Sequence, residues 1–353
     1  MNKVQGKTSS YVLAALMCWV ASAAFADQPS QQSQFEAPRH FAPQQNADSQ
    51  ALMEELVEQG LPQEWLEEAL GQASFTQNVL DAMEGAAERR LKWYEYRAIF
   101  LTQQRIEEGV EFIDAHADAL ARAESTYGVP AEIITAIIGV ETYYGRHKGQ
   151  HRVLDSLATL AFHHPARGAF FRGELAAFLR IAYEQKVDPT ELRGSYAGAM
   201  GYPQFIPTSY QAYAVDFDGD GRRDLWENPV DAIGSVANYF AEHNWKPDAD
   251  IYHHASGPDV MPVELLQELS FNQTSPPEVS IAQLAAHGLE PSEPLDDNLP
   301  VVPLALEFAD GETRYRFGEY NFYVITRYNH SHLYAMAVAE LAEAIAELHE
   351  DKG

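Results

Sequence analysis

The stretch Asp216-Phe217-Asp218-Gly219-Asp220-Gly221-Arg222-Arg223-Asp224-Leu225-Trp226-Glu227 restricts the fold of this chain more than any other. Five carboxylates in twelve residues repel one another unless a cation or open solvent separates them. Their order fits D-x-D-x-D-G-x5-E, the calcium loop of an EF-hand. In that arrangement Asp216, Asp218 and Asp220 point at one centre and Gly221 makes the sharp turn. The Arg222 carbonyl supplies a fourth ligand, and Glu227 closes the shell as a bidentate one. A solvated acidic turn is the plainer alternative. The loop lies between two helical stretches, as such a site requires. One loop rather than a pair favours a structural ion over a sensor.

Helical periods run through most of the chain. Leu52, Met53, Leu56 and Val57 share one face and stop at Gly60. Pro62 suits a first helical position ahead of Trp65, Leu66 and Leu70, with Gly71 closing. Phe75, Val79, Leu80 and Met83 continue the pattern. Thr102 to Tyr127 reads as one long segment with Ile106, Val110, Ile113, Ala117 and Leu120 as its stripe, broken by Gly128-Val129-Pro130. Val153 to Phe162, Phe170 to Gln185, Pro229 to Phe240 and Ser331 to His349 are further helices. From Lys246 proline and glycine rise. Pro300 to Phe308, Thr313 to Phe317 and Asn321 to Thr326 read as strands, with a short helix over Ser280 to His287.

Ala131 to Gly145 carries the main candidate for chemistry. Ile134, Ile137 and Ile138 fall on one helical face, and the next position on that face is Glu141. A carboxylate aimed at a core or closed groove loses hydration, which raises its pKa and suits it to proton transfer. Two other arrangements account for the same residue: a buried glutamate paired with an arginine, or a frayed last turn that leaves it in water.

The first 26 residues have the form of a secretory signal: Lys3 and Lys7, an apolar run from Tyr11 to Ala24, and a small-x-small site at Ala24-Phe25-Ala26. Cleavage there removes two lysines and takes the formal charge from −28 to −30, which argues against nucleic acid or an anionic membrane surface as partner. Cys18, the only cysteine, lies inside the apolar run, and Met17 stands where lipid attachment wants a small residue. A lipid anchor through Cys18 is therefore disfavoured. The mature chain would hold no thiol and no transmembrane span, which excludes cysteine nucleophiles, thiolate zinc sites and disulfide frameworks. Gln28 to Asn46 reads as a flexible leader.

Other motifs are weaker. Gly194-Ser195-Tyr196-Ala197-Gly198 is not a nucleophile elbow, and His330-Ser331-His332 lacks further zinc-ligand spacing. No P-loop or dinucleotide fingerprint is present, so no organic cofactor is expected. Ser195 to Phe205 reads as a tight loop where backbone comes close to something. Tyr143, Tyr144, Tyr202, Tyr239, Tyr328 and Tyr334 lie near these loops; they suit stacking on sugar rings, and core packing explains several equally well.

Gly139-Val140-Glu141-Thr142 with Gly145, the segment Ser195 to Phe205, Tyr213 to Phe217, Pro229 to Phe240, and Asn321 to Ser331 together resemble the membrane-bound lytic transglycosylase B family. The likeness is colinear and spans roughly Asp48 to Leu348. It implies a mainly α fold: a lysozyme-like helical core, a helical N-terminal domain and a small α+β insertion. The corresponding divisions are signal peptide 1–26, leader 27–47, N-terminal domain 48–127, core 128–245, insertion 246–325 and C-terminal core helix 326–353. It implies a periplasmic enzyme that cuts peptidoglycan glycan strands between N-acetylmuramic acid and N-acetylglucosamine without water, leaving 1,6-anhydro ends. By the resemblance Glu141 is the single acid and then base. Ser195, Gln204, Tyr239, Tyr328, Asn329 and Tyr334 line the saccharide groove, and Arg167 meets muramyl or peptide carboxylates. The family's calcium loop is longer and closes on the aspartate of P-V-D, here Asp231, so Asp231 and Glu227 compete as last ligand. Pro203 stands where the family commonly has glycine. A non-catalytic peptidoglycan-binding scaffold and a hydrolytic muramidase are the alternatives.

Overall fold

The computed structural model describes residues 40–87, 91–259 and 262–352, so the signal-peptide reading and Cys18 lie outside the described residues. The described residues group into two compact units. The larger contains 40–87, 91, 95–248 and 337–352; the smaller contains 92–94, 249–259 and 262–336.

In the larger unit, α1 (Ala47–Glu58), α2 (Gln63–Gly71) and α3 (Gln77–Ala87) come first, then the main part of α4 (Trp93–Phe100). Residues just ahead of α1, at the end of the segment expected to be a flexible leader, are seated: Phe41 is fully buried and its carbonyl accepts from Ser49 Oγ at 2.6 Å. The long helix expected over Thr102 to Tyr127 is two helices, α5 (Gln103–Ala115) and α6 (Ala117–Tyr127). His116 between them leaves helical geometry (φ −124°, ψ 23°). The apolar period runs through this break unaltered, so hydrophobic spacing alone could not locate it.

Next comes α7 (Ala131–Thr142), which packs against α5 and α6. It is buried on every side from Ile133 to Gly139, not along one stripe. A helix apolar all round belongs in a core. A two-stranded ribbon of β1 (His151–Arg152) and β2 (Arg193–Gly194) encloses α8 (Val153–His163) and α9 (Gly168–Gln185), which pack on each other. The short α10 (Pro207–Tyr213) and α11 (Pro229–Glu242) complete the helices before residue 248, and α11 also packs on α7.

Glu174 decides where α10 sits. Its side chain, on α9, is almost wholly buried and accepts from the Thr208 amide at 3.0 Å and the Thr208 hydroxyl at 2.7 Å. It thereby caps α10 from another helix, supplying the acceptor that Ile206 cannot.

The smaller unit contains β3 (Tyr252–Ser256), α12 (Val263–Glu268), β4 (Val279–Ser280), α13 (Ile281–Ala285), β5 (Glu290–Pro291), β6 (Pro300–Glu307) and β7 (Thr313–Gly318). Its described strands form an antiparallel sheet in the order β4-β6-β7-β3-β5. The β6–β7 hairpin is in register from Val302 opposite Gly318 to Glu307 opposite Thr313. Leu269, Phe271, Ile281, Leu284, Leu289, Val301, Tyr315 and Phe317 are its core. Asn321 to Thr326, expected as a strand, lies within α14 (Tyr320–Tyr328). Asn321, Val324, Ile325 and Tyr328 are all buried, at i, i+3, i+4 and i+7. Aromatic and β-branched residues suggested a strand, but a buried helical face outweighs that preference. The last helix, α15 (His332–Lys352), begins in the smaller unit and ends in the larger.

Burial raises the Glu174 carboxyl above its ordinary value of 4.5, against the Thr208 hydrogen bonds that lower it. The folded protein therefore holds this proton more tightly than the unfolded chain. The associated stability is fully present below the unfolded value and lost as pH rises through the folded one. Glu174→Gln, which cannot ionise, should lack this decline in denaturant titrations run from acid to neutral pH. Glu174→Ala, which orphans the Thr208 amide, should cost about 2–3 kcal/mol in the same measurement.

Candidate active site

Glu141 is the next-to-last residue of α7 and is half-buried, as is Val140 before it, where the helix emerges from its buried stretch Ile133 to Gly139. The backbone beyond it is unusual. Tyr143 (φ 52°), Tyr144 (φ 58°) and Gly145 (φ 86°) are three consecutive left-handed residues, two of them aromatic. Such conformations are costly for bulky side chains and persist only where the surroundings hold them.

The surroundings are specific. The Tyr144 ring folds back onto Gly139, where a Cβ would lie 2.8 Å from ring atoms. Its hydroxyl donates to the Arg105 carbonyl at 2.8 Å. The Tyr202 ring closes on Gly145, where a Cβ would lie 2.0 Å from Cε1. The two glycines that flank Glu141 in the motif are thus the seats of two tyrosine rings. Thr142 ties the same junction: its hydroxyl lies 3.0 Å from the Tyr202 carbonyl and accepts from the Gly145 amide at 3.0 Å. The Tyr143 ring lies under two guanidinium groups, Arg105 at 4.5 Å and Arg146 at 5.2 Å. Burial lowers the Arg105 pKa from its ordinary value.

The loop expected over Ser195 to Phe205 meets this junction. Gln204, buried and left-handed (φ 49°), donates from Nε2 to the carbonyls of Gly201 at 2.8 Å and Lys148 at 3.2 Å. Its Oε1 is buried and has no hydrogen-bond partner among the described residues. Pro203 is accommodated without disturbing the turn: Tyr202 N donates to Leu225 O at 2.8 Å and Met200 N to Phe205 O at 2.9 Å. Ser195 is buried, and its Oγ accepts from the amides of Ala199 at 3.0 Å and Ala197 at 3.2 Å. It is a loop-shaping hydroxyl. Tyr239, on α11, packs on Phe205 at 5.7 Å and stacks on His243 at 4.0 Å. These contacts bring together Ser195, Gln204, Tyr239 and the end of α7. Arg167 stands elsewhere in this unit, at the α8–α9 corner, over the rings of Phe170 and Phe171 at 4.8 and 5.0 Å.

Tyr328, Asn329 and Tyr334 belong to the smaller unit and are all buried there. The two tyrosine rings are nearly parallel, 6.3 Å apart, across the break between α14 and α15 that Asn329 begins. Burial pushes the nearby His332 ring down to about 4.

The acidic loop is folded around its own amides. Asp216 accepts from Gly219 at 2.7 Å and Gly221 at 2.8 Å, and Asp218 accepts from Asn228 Nδ2 at 2.8 Å. Asp231, fully buried in the first turn of α11, accepts from the amides of Phe217 at 2.7 Å, Asp224 at 2.8 Å and Asp218 at 3.3 Å. Burial raises its pKa despite those donors. Carboxylate oxygens of Asp216, Asp218 and Asp231 all lie within 4.8 Å of one another. Asp220 accepts from the Arg222 amide at 2.8 Å. Glu227 is largely exposed and pairs with Lys148 Nζ at 3.2 Å. Thr142 is the positioning residue that sequence reasoning missed, although it adjoins Glu141 in the motif.

Comparison with known proteins adds an independent finding. Residues 44–343 match the family model described as the transglycosylase SLT domain. The membrane-bound lytic murein transglycosylase B of Escherichia coli (strain K12) is 44% identical over 311 residues, which are 85% of this chain and 83% of that protein. The crystal structure of the soluble lytic transglycosylase SltB1 from Pseudomonas aeruginosa is 46% identical with a TM-score of 0.79, covering 85% of this chain and 98% of the other. The Escherichia coli lytic transglycosylase Slt35 in complex with calcium is 44% identical with a TM-score of 0.77, covering 85% and 93%.

Gly145→Ala places a methyl group inside the Tyr202 ring and a side chain at a left-handed position. It should destabilise the fold by about 2 kcal/mol or more in chemical denaturation. Gly85→Ala, where nothing lies within 4 Å of the added carbon, should leave stability near that of the parent.

Proposed function

The chain belongs to the transglycosylase SLT domain family and is a peptidoglycan lytic transglycosylase, and from that premise we propose that Glu141 serves its cleavage step first as acid and then as base. The observation that carries this reading is the position of Glu141: a half-buried carboxylate at the end of a buried helix, on backbone held by two ring-on-glycine contacts. The fold is mainly α and lysozyme-like, as in the relatives.

The bond cut is the β-1,4 link between N-acetylmuramic acid and N-acetylglucosamine. Protonated Glu141 gives its proton to the leaving glycosidic oxygen as the C1–O bond breaks. The muramyl C6 hydroxyl then attacks C1, and Glu141 takes back the proton that this oxygen releases. A 1,6-anhydro ring forms, no water is consumed, and the carboxyl returns to its starting state. The same carboxyl thus serves as donor in the first step and acceptor in the second. Gln204 and Tyr239 line the saccharide groove, with Ser195 shaping its wall. The unpartnered Gln204 Oε1 suits an N–H or O–H of the sugar. Arg167 answers a muramyl or peptide carboxylate, and Tyr328, Asn329 and Tyr334 keep their expected role as sugar-binding residues.

The acidic loop suits calcium. Asp216, Asp218 and Asp231 offer a set of hard oxygen donors, with Asp220 and the Arg222 carbonyl next in line. Glu227, turned to Lys148, is not the closing ligand in this reading; Asp231 is. A bound ion would offset part of the loop's negative charge and hold α11 against it, a structural role. Among the described residues no helix is long and apolar enough to cross a membrane. Export to the periplasm, with cleavage after Ala26, completes the proposal.

Digestion of purified peptidoglycan followed by mass spectrometry of the muropeptides tests the chemistry. Anhydro ends support it, and reducing ends would replace it with hydrolysis. Glu141→Gln should still sediment with sacculi while turnover falls by about a thousandfold or more; substantial residual activity would remove Glu141 from its role. Calcium chelation should lower the melting temperature, since an ion bound only to the folded state stabilises it. Asp231→Asn should abolish that response and Glu227→Gln should retain it; the reverse pattern would return the closing ligand to Glu227.

A further inference from the structure

In the smaller unit a histidine is clamped between carboxylates at a place no sequence motif marks. His253, the second residue of β3, is buried, with only 5% of its side chain exposed. Its Nδ1 lies 2.8 Å from Glu293 Oε1 and its Nε2 lies 2.7 Å from Glu319 Oε1. Asp250 Oδ2 stands 3.9 Å from the same Nε2. One ligand atom each from Asp250, His253 and Glu319 can be taken with all three inside 4.8 Å of one another.

We propose that Asp250, His253 and Glu319 form a binding site for a zinc-like transition-metal dication, with Glu293 orienting the imidazole. Three arguments converge. The first is the donor set: one imidazole nitrogen and two carboxylates leave a fourth position for water, a pattern zinc accepts. The second is geometry. Adjacent ligand atoms around a tetrahedral zinc are separated by about 3.3 Å, given bonds near 2.0 Å. The 2.7 and 3.9 Å separations bracket that spacing, so small side-chain rotations suffice. The third is the carboxylate on the far ring nitrogen. A Nδ1–H donated to Glu293 fixes the tautomer and turns the Nε2 lone pair toward Asp250 and Glu319, the outer-shell arrangement that metal-binding histidines use.

Charge favours the exchange. Three carboxylates around one imidazolium sum to −2. A dication that replaces the Nε2 proton, with the imidazole neutral, brings the same group to −1. The site would join the start of β3 to Glu319, the N-cap of α14. It is separate in sequence and composition from the all-oxygen loop at Asp216 to Asp231. The pair Asp250-x-x-His253 is short and solitary, and its partners lie 40 and 66 residues downstream of His253, so spacing alone gives no signal.

Titration calorimetry tests this on the full-length protein, stripped of metal and then saturated with calcium so that the acidic loop is occupied. Zinc chloride should bind at one equivalent and raise the melting temperature of the calcium-loaded protein. Asp250 is largely exposed, so Asp250→Asn leaves packing in place; it should weaken zinc binding at least tenfold. Glu293→Gln should weaken it by about ten- to a hundredfold without removing a ligand. Cobalt in place of zinc should give visible absorption that Asp250→Asn diminishes. Absence of saturable zinc binding, or equal affinity in the parent and Asp250→Asn, overturns the proposal. The calcium response of Asp231→Asn is read separately, so failure at one site does not stand for failure at the other.

Discussion

Two tyrosine rings resting on two glycines hold the candidate active site. Tyr144 lies on Gly139 and Tyr202 on Gly145, with Glu141 between the two seats. Contact at this distance leaves no room for a methyl group, and interiors packed to native density transmit any misfit to their neighbours. The rings oblige the chain to leave α7 through three left-handed residues. That exit sets where Glu141 emerges, where the Thr142 hydroxyl meets the Tyr202 carbonyl, and where Gln204 finds the Lys148 carbonyl. The mounting fixes the backbone from which the Glu141 side chain rises, and a site on rigidly held backbone is better defined than one on a loose loop.

Charge is organised locally in a strongly acidic protein. Asp231 collects three backbone amides in the first turn of α11, where the helix end also favours an anion. This preassembles the loop, since Asp216 and Asp218 need only a cation to offset their mutual repulsion. The same principle recurs with different chemistry at His253, where the acids are arranged around an imidazole. Glu174 shows a second use of a buried carboxylate: capping α10 from a neighbouring helix. These two buried carboxylates thus each hold backbone outside their own helix.

Legibility followed the range of the interactions. The helices from Leu52 to Leu70 and over Phe170 to Gln185 were readable because their boundaries come from local residues. The break at His116 was not, since the apolar period passes through it. The helix over Tyr320 to Tyr328 was misread because Val324, Ile325 and Thr326 have the composition of a strand; burial of a helical face overrode it. The acidic loop is readable as a cluster of oxygen donors, but its spacing does not show that Glu227 pairs with Lys148 while Asp231 gathers with Asp216 and Asp218.

The sequence by itself determined that the chain is mainly helical, that it carries an acidic turn with calcium-loop spacing, and that Glu141 is the carboxylate placed on an apolar helix. These are matters of period and local spacing, properties that survive without knowledge of what packs where. Only the tertiary structure decided that Gly139 and Gly145 are ring seats, that Gln204 keeps one buried oxygen unpartnered, and that His253 stands between three acids. Each of those depends on close approach between residues far apart in the chain. Such approach is set by the packing of whole elements, which no window of sequence contains.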